Sequence, residues 1–129
     1  MDKILVEVSI GELLDKISIL DIKKDKINDL SKLKFIKYEY DILKKEYDNK
    51  VKNDEKLTEL YTKLKQINSK LWVIEDEKRL CEKNSNFGEN FIKLSRDVHF
   101  LNDDRAKIKL EINNYTGSKV KEIKEYTNY

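Results

Sequence analysis

The chain of 129 residues has no proline, three glycines, one cysteine, one histidine and one tryptophan. Without proline, nothing forces a break inside a helical run. A single cysteine, Cys81, excludes an internal disulfide. One histidine and one cysteine leave no Cys/His metal cluster, and so few glycines leave no phosphate-cradling loop. No serine or cysteine is placed beside His99 for nucleophilic attack. His99 reads as a surface side chain, and Asp103 at i+4 is the only carboxylate that would orient it as a base. Long apolar runs are missing too. No stretch approaches the roughly 20 residues of a membrane span. Met1-Asp2-Lys3-Ile4-Leu5-Val6-Glu7 has an acid at position 2 and no long apolar core, unlike a secretory signal. A cytoplasmic location is therefore expected, and Asn114-Tyr115-Thr116 fits a glycosylation pattern by chance. Net charge is only +2. With acidic and basic residues interspersed, and Asp21 and Asp25 interrupting Lys23, Lys24 and Lys26, nucleic acid is not an expected partner.

What the sequence does have is apolar residues at three- and four-residue intervals along most of its length. Leu33, Ile36, Tyr40, Leu43 and Tyr47 form one run. Leu57, Leu60, Leu64, Ile67, Leu71 and Ile74 form a second. Phe91, Leu94, Val98, Leu101, Arg105, Ile108, Ile112 and Tyr115 form a third. Such spacing places one stripe of each helix against a partner. Charged residues are 40% of the chain and hydrophobic residues 39%. An elongated antiparallel helical hairpin or bundle reconciles those two figures, because a thin bundle carries much surface per unit of core.

The expected organisation is a single all-α domain over 1–129. A short strand is expected at about 3–8, where Ile4, Val6 and Val8 alternate with Leu5 and Glu7. It would need the tail or the same strand of a second copy as partner. Helices are expected at about 10–28, 32–51, 54–83 and 88–115. Ser9-Ile10-Gly11-Glu12 is a capping box, with Val8 and Leu13 at the staple positions. Its helix carries the stripe Ile10, Leu13, Ile17, Leu20, Lys24 and Ile27. Asp29 or Ser31 would cap the second helix, although the first two could also run together through a kink. Asn53-Asp54 caps the third, and Asn84-Ser85-Asn86 with Gly88 marks the clearest loop. Gly117 is placed to end the fourth. At 1.5 Å per residue the last two helices are roughly 42–45 Å long, and a short loop between them implies a hairpin. The tail, 118–129, carries little pattern.

Three basic residues interrupt the apolar stripes. Lys24 and Lys78 can bury their stems and send the amine to water. Arg105 lies mid-helix between Leu101 and Ile108, where an unpaired charge costs several kcal/mol. Across the hairpin, Glu75 and Asp76 are the expected partners. Of the 27 lysines and arginines only Arg79, Arg96 and Arg105 are arginine. All three fall in the facing halves of the hairpin, which suggests use of the planar guanidinium fork. Cys81 continues the seam 71, 74, 78 and reads as a small buried thiol.

Polar stripes accompany the apolar ones. The third helix carries Trp72, Glu75, Asp76, Arg79 and Lys83. The fourth carries Asn102, Arg105 and Lys109, flanked by Asp103. The first carries Glu12, Asp15, Lys16 and Lys23. Together with Arg96 these could line a pocket closed by the only tryptophan. Two readings stand. One is an ion-pair network that fixes helix register and partner choice. The other is a pocket for an anionic small molecule such as a sugar phosphate or nucleotide, held by Arg79, Arg105 and Lys109 and stacked on Trp72.

Three segments carry a resemblance. They are Val8-Ser9-Ile10-Gly11-Glu12-Leu13 with Asp15-Lys16-Ile17-Ser18-Ile19-Leu20; Leu71-Trp72-Val73-Ile74-Glu75-Asp76 with Arg79; and Phe87-Gly88, Phe91-Ile92, Leu94, Arg96 and Asn102-Asp103-Asp104-Arg105-Ala106-Lys107-Ile108-Lys109. In order and spacing this resembles a family of small bacterial and phage helical proteins catalogued as a domain of unknown function. The resemblance implies a stand-alone helical domain and a link to cell-surface polysaccharide synthesis, with no activity to transfer. Lys78 and Cys81 depart from the family pattern. A helical-dimer enzyme of chorismate-mutase type is a further alternative, but Asp15-Lys16 and Lys23-Lys24 lack that family's first-helix arginines. The leading expectation is a non-enzymatic helical oligomer, a homodimer, with no catalytic residue, cofactor or metal.

Overall fold

A computed structural model describes residues 1–129. The chain forms four helices: α1 (Ile10–Lys26), α2 (Leu30–Lys50), α3 (Glu55–Lys83) and α4 (Glu89–Thr116). It contains no strand. The strand expected over 3–8 is not formed. Residues 1–9 carry no regular structure, and none of their first eight backbone groups joins a ladder. A lone strand needs a neighbour to take its N–H and C=O groups, and the tail does not supply one. Ile4, Leu5 and Val6 are consequently exposed.

Helix starts follow the caps. Ser9 Oγ accepts from the Glu12 amide at 3.0 Å. The return half of the capping box is not made, because the Glu12 carboxylate goes to Lys109 instead. The break between the first two helices is real. Asp29 Oδ1 accepts from the Ser31 and Lys32 amides, and this cap competes with continuing the helix through Asn28. Asp54 Oδ1 accepts from the Leu57 amide at 2.9 Å. Gly117, at φ +70°, ends α4 in the left-handed conformation that glycine adopts without strain.

The α3–α4 hairpin is the long axis of the molecule, and α2 folds back along α1. α1 alone approaches all three other helices. It crosses the hairpin obliquely. Its first turns meet α4 through Gly11–Asn113 and Glu12–Lys109, and its later turns meet α3 through Ser18–Asn68 and Asp21–Tyr61. The apolar core sits at this crossing: Leu13, Leu14, Ile17, Tyr47, Leu57, Leu60, Leu64 and Ile112. Gly11 is required there. A Cβ on it would lie 2.5 Å from the Lys109 carbonyl oxygen and 2.8 Å from Asn113 Oδ1. The Gly11 N–H donates to that same Oδ1 at 2.7 Å.

Beyond the crossing the hairpin continues as two helices. No hydrogen bond or ion pair joins α1 or α2 to residues 69–101. Val73, Leu80, Ile92 and Phe100 are exposed along this distal part. Cys81 is buried between the two helices, and the half-buried Lys78 places its amine 5.8 Å from the centre of the Phe91 ring. Lys24 lies 3.6 Å from the centre of the Tyr40 ring, joining α1 to α2. No helix is long and apolar enough to cross a membrane.

Candidate functional site: a buried ion-pair network under the tail

The network is built on Asp15, which is 1% exposed. Arg105 reaches across from α4 with its fork. Nε donates to Oδ1 at 2.9 Å and Nη2 to Oδ2 at 2.5 Å. From α3, Asn68 Nδ2 donates to Asp15 Oδ1 at 2.9 Å and to Ser18 Oγ at 2.8 Å. Ser18 Oγ in turn donates to the Asp15 carbonyl oxygen at 2.7 Å. Three helices thus meet on one carboxylate. Burial pushes the Asp15 carboxyl up. The hydrogen bonds from Arg105 and Asn68 and the charges of Arg105 and Lys109 more than offset this, so it lies below the usual range.

One turn further along α4, Lys109 is the second cation. Its side chain is 9% exposed and meets three carboxylates. Nζ lies 2.6 Å from Glu12 Oε2, 3.1 Å from Glu122 Oε2 and 3.7 Å from Asp15 Oδ2. Burial lowers its proton affinity, but those carboxylates raise it by more, leaving Lys109 above the ordinary lysine value. Arg105 is likewise raised, first by its hydrogen bond to Asp15. No buried side-chain nitrogen or oxygen is left without a partner.

The tail folds back along α4 over this network. Lys121 Nζ donates to Asn114 Oδ1 at 2.7 Å, Glu122 meets Lys109, and the Tyr129 hydroxyl donates to Asp103. The Tyr129 ring lies 4.9 Å from that of His99. Between tail and helices is a polar cleft of about 270 Å³, lined by Glu12, Asn102, Arg105, Ala106, Lys109, Glu122 and Lys124.

Of the residues expected to share a pocket, the structure gathers Asp15, Asn102, Arg105 and Lys109. Lys16 is exposed, 3.9 Å from Glu12. Lys23 is half-buried without an ion pair. Trp72 is half-buried on the distal hairpin, where Glu75, Asp76 and Arg79 are exposed and form no ion pair. Arg96 is exposed with its guanidinium 6.0 Å from the Phe100 ring centre. Asp103 holds Tyr129 and does not orient His99.

Arg105 therefore does not pair with Glu75 or Asp76, and hairpin register explains why. The loop turns near Asn86, so Arg105 falls opposite residues 67–68, while 75 and 76 fall opposite 96 and 97. The contacts Cys81–Asn90 and Lys56–Tyr115 obey the same register. Sequence reasoning also missed Ser18, Asn68, Glu122 and Lys124 as members. Asn68 gave a signal: it stands at i+4 from Leu64 and i−3 from Leu71, a polar residue on an apolar seam. Glu122 and Lys124 gave none.

No group of three or more histidine, cysteine, aspartate or glutamate side chains is arranged to hold a metal ion. Fold and network together define a small all-α domain whose helices are locked by a buried carboxylate shared between three of them. Residues 4–129 match the family of unknown function DUF6165, and the chain belongs to that family. No curated protein and no solved structure matches it.

Proposed function

We infer that the protein is a non-enzymatic helical interaction domain that pairs with a second copy of itself through the distal part of the α3–α4 hairpin. One observation carries this reading. Val73, Ile74, Phe100 and Leu101 line an apolar groove of about 590 Å³ between α3 and α4. Leu80, two turns beyond Val73 on the same side of α3, is 51% exposed. Patches of this kind mark association surfaces.

A second copy suits the groove better than an unrelated chain. Residues 69–101 hold as many acidic as basic side chains, so two such segments meet without net repulsion. Two paired hairpins make a four-helix bundle, a closed arrangement that a two-fold axis supplies. The segment is about 22 Å long and about 20 Å wide. Such a face spans about 440 Å², roughly half of the about 800 Å² that each partner gives to a standard interface, which places the dimer at the weak end of the range. The buried polar network supports the non-enzymatic part of the reading, since its interior groups are already satisfied by one another. A cytoplasmic setting in a bacterial or phage-infected cell accords with the resemblance to small bacterial and phage proteins.

Sedimentation equilibrium at tens of micromolar tests it. A dimer is expected, and Val73→Glu with Leu80→Glu is expected to give a folded monomer with unchanged far-UV circular dichroism. A monomeric wild type, or a double variant that still dimerises, defeats the reading.

A further inference from the structure

The Glu122 contact differs in kind from the rest of the network. Asp15 and Glu12 together balance Arg105 and Lys109 in charge. Glu122 adds one negative charge beyond that balance, and the outer cation facing it is Lys124 at 3.5 Å. Its side chain is 47% exposed, against 2% for Asp15 and 34% for Glu12. It also comes from a segment with no regular structure, whereas the other two sit on α1. Taking Glu122 away would leave two cations and two carboxylates in place. It is the one member of the network that can be exchanged without unbalancing the interior.

The neighbouring cleft has donors in excess of what the chain uses. A guanidinium carries five N–H groups. Arg105 uses Nε and one Nη2 proton on Asp15, and its Nη1 meets only Asn102 Oδ1 at 3.5 Å. That outer edge lines the cleft together with Lys109 and Lys124. We propose that the place on Lys109 occupied by the Glu122 carboxylate is a binding site for the single carboxylate of a small organic acid, with the Glu122 side chain as its built-in competitor. Lys109 and Lys124 take the carboxylate, and the outer edge of Arg105 with Asn102 takes polar groups on the remainder of the ligand. A phosphate dianion is disfavoured, because its second charge would face Glu12 across the cleft.

The tail holds Glu122 near Lys109 at a high effective concentration, so a free acid must compete with it. The test uses the full chain and sodium propionate, which copies the glutamate side chain. Amide shifts of residues 12 and 102–109 are followed at constant ionic strength. Glu122→Gln should bind propionate at least about tenfold more tightly than the wild type, since it removes the competing charge and leaves the ligand's place intact. Adding Lys124→Gln to that variant should weaken binding severalfold, and Lys109→Met should abolish the saturable response. Lys124 is on the surface, so its variant keeps the test decisive if Lys109→Met does not fold. Equal responses in wild type and Glu122→Gln overturn the proposal. So do non-saturating shifts spread over exposed lysines, or inorganic phosphate binding more tightly than propionate.

Discussion

At the scale of single residues, Asp15 and Arg105 decide most. Asp15 is buried, and Arg105 is 28% exposed at its side chain. Removing one partner of such a pair strands the other charge, which costs about 3–5 kcal/mol. Arg105→Ala should fall at the lower end, because Lys109 at 3.7 Å and Asn68 remain beside Asp15. Chemical denaturation measures this, and a near-zero change would show that the pair contributes little. Replacing both members, Asp15→Leu with Arg105→Met, should recover much of the loss, since no charge is then stranded. Acid should act on the same group. Asp15 lies below its unfolded value of 3.8. Its contribution is therefore complete above that value and fades as pH falls through the lower folded value. Lys109 lies above its unfolded value of 10.5, so its contribution holds below that value and fades as pH rises through the higher one. Urea midpoints recorded against pH should show the acid decline, and Asp15→Asn should flatten it.

At the scale of elements, much was legible in the sequence, for definite reasons. Periodicity and capping residues are local properties, so Ser9, Asp29, Asp54 and Gly117 announce where helices begin and end. The strand at 3–8 was misread because alternation is equally local, while a strand's existence depends on a neighbour that local pattern does not report. The pairing of Arg105 was misjudged although the needed fact was present: the turn near Asn86 sets which residues face each other. Asp15 was legible as a member of the polar pocket but not as the partner of Arg105, since nothing in the spacing fixes where α1 lies across the hairpin. Gly11 fixes part of that placement. Alanine is intrinsically the better helix former by about 1 kcal/mol. At Gly11, however, a methyl would press on the Lys109 carbonyl of α4 at 2.5 Å. Gly11→Ala should therefore destabilise by about 1–3 kcal/mol, read as a lowered melting temperature. A stabilised variant would mean that α1 does not sit so close to α4.

At the scale of the whole molecule, one short helix holds both ends of the story. α1 contributes to the core, supplies the shared carboxylate and contacts every other helix. The distal hairpin has none of that support. Amide exchange should therefore be uneven along α3 and α4, slow around Leu60, Leu64 and Ile112 and fast over residues 75–98. If the distal segment pairs with a second copy, raising the protein concentration should slow only the fast class. Uniform exchange along both helices would contradict the division. The oblique seat of α1 also means that each long helix obeys two sets of rules. Near its base a substitution is felt by two neighbours at once, α1 and the other arm of the hairpin. Toward the turn the same change is felt by one, so this is where a lineage can alter side chains freely and thereby change whom the molecule meets without unsettling how it folds.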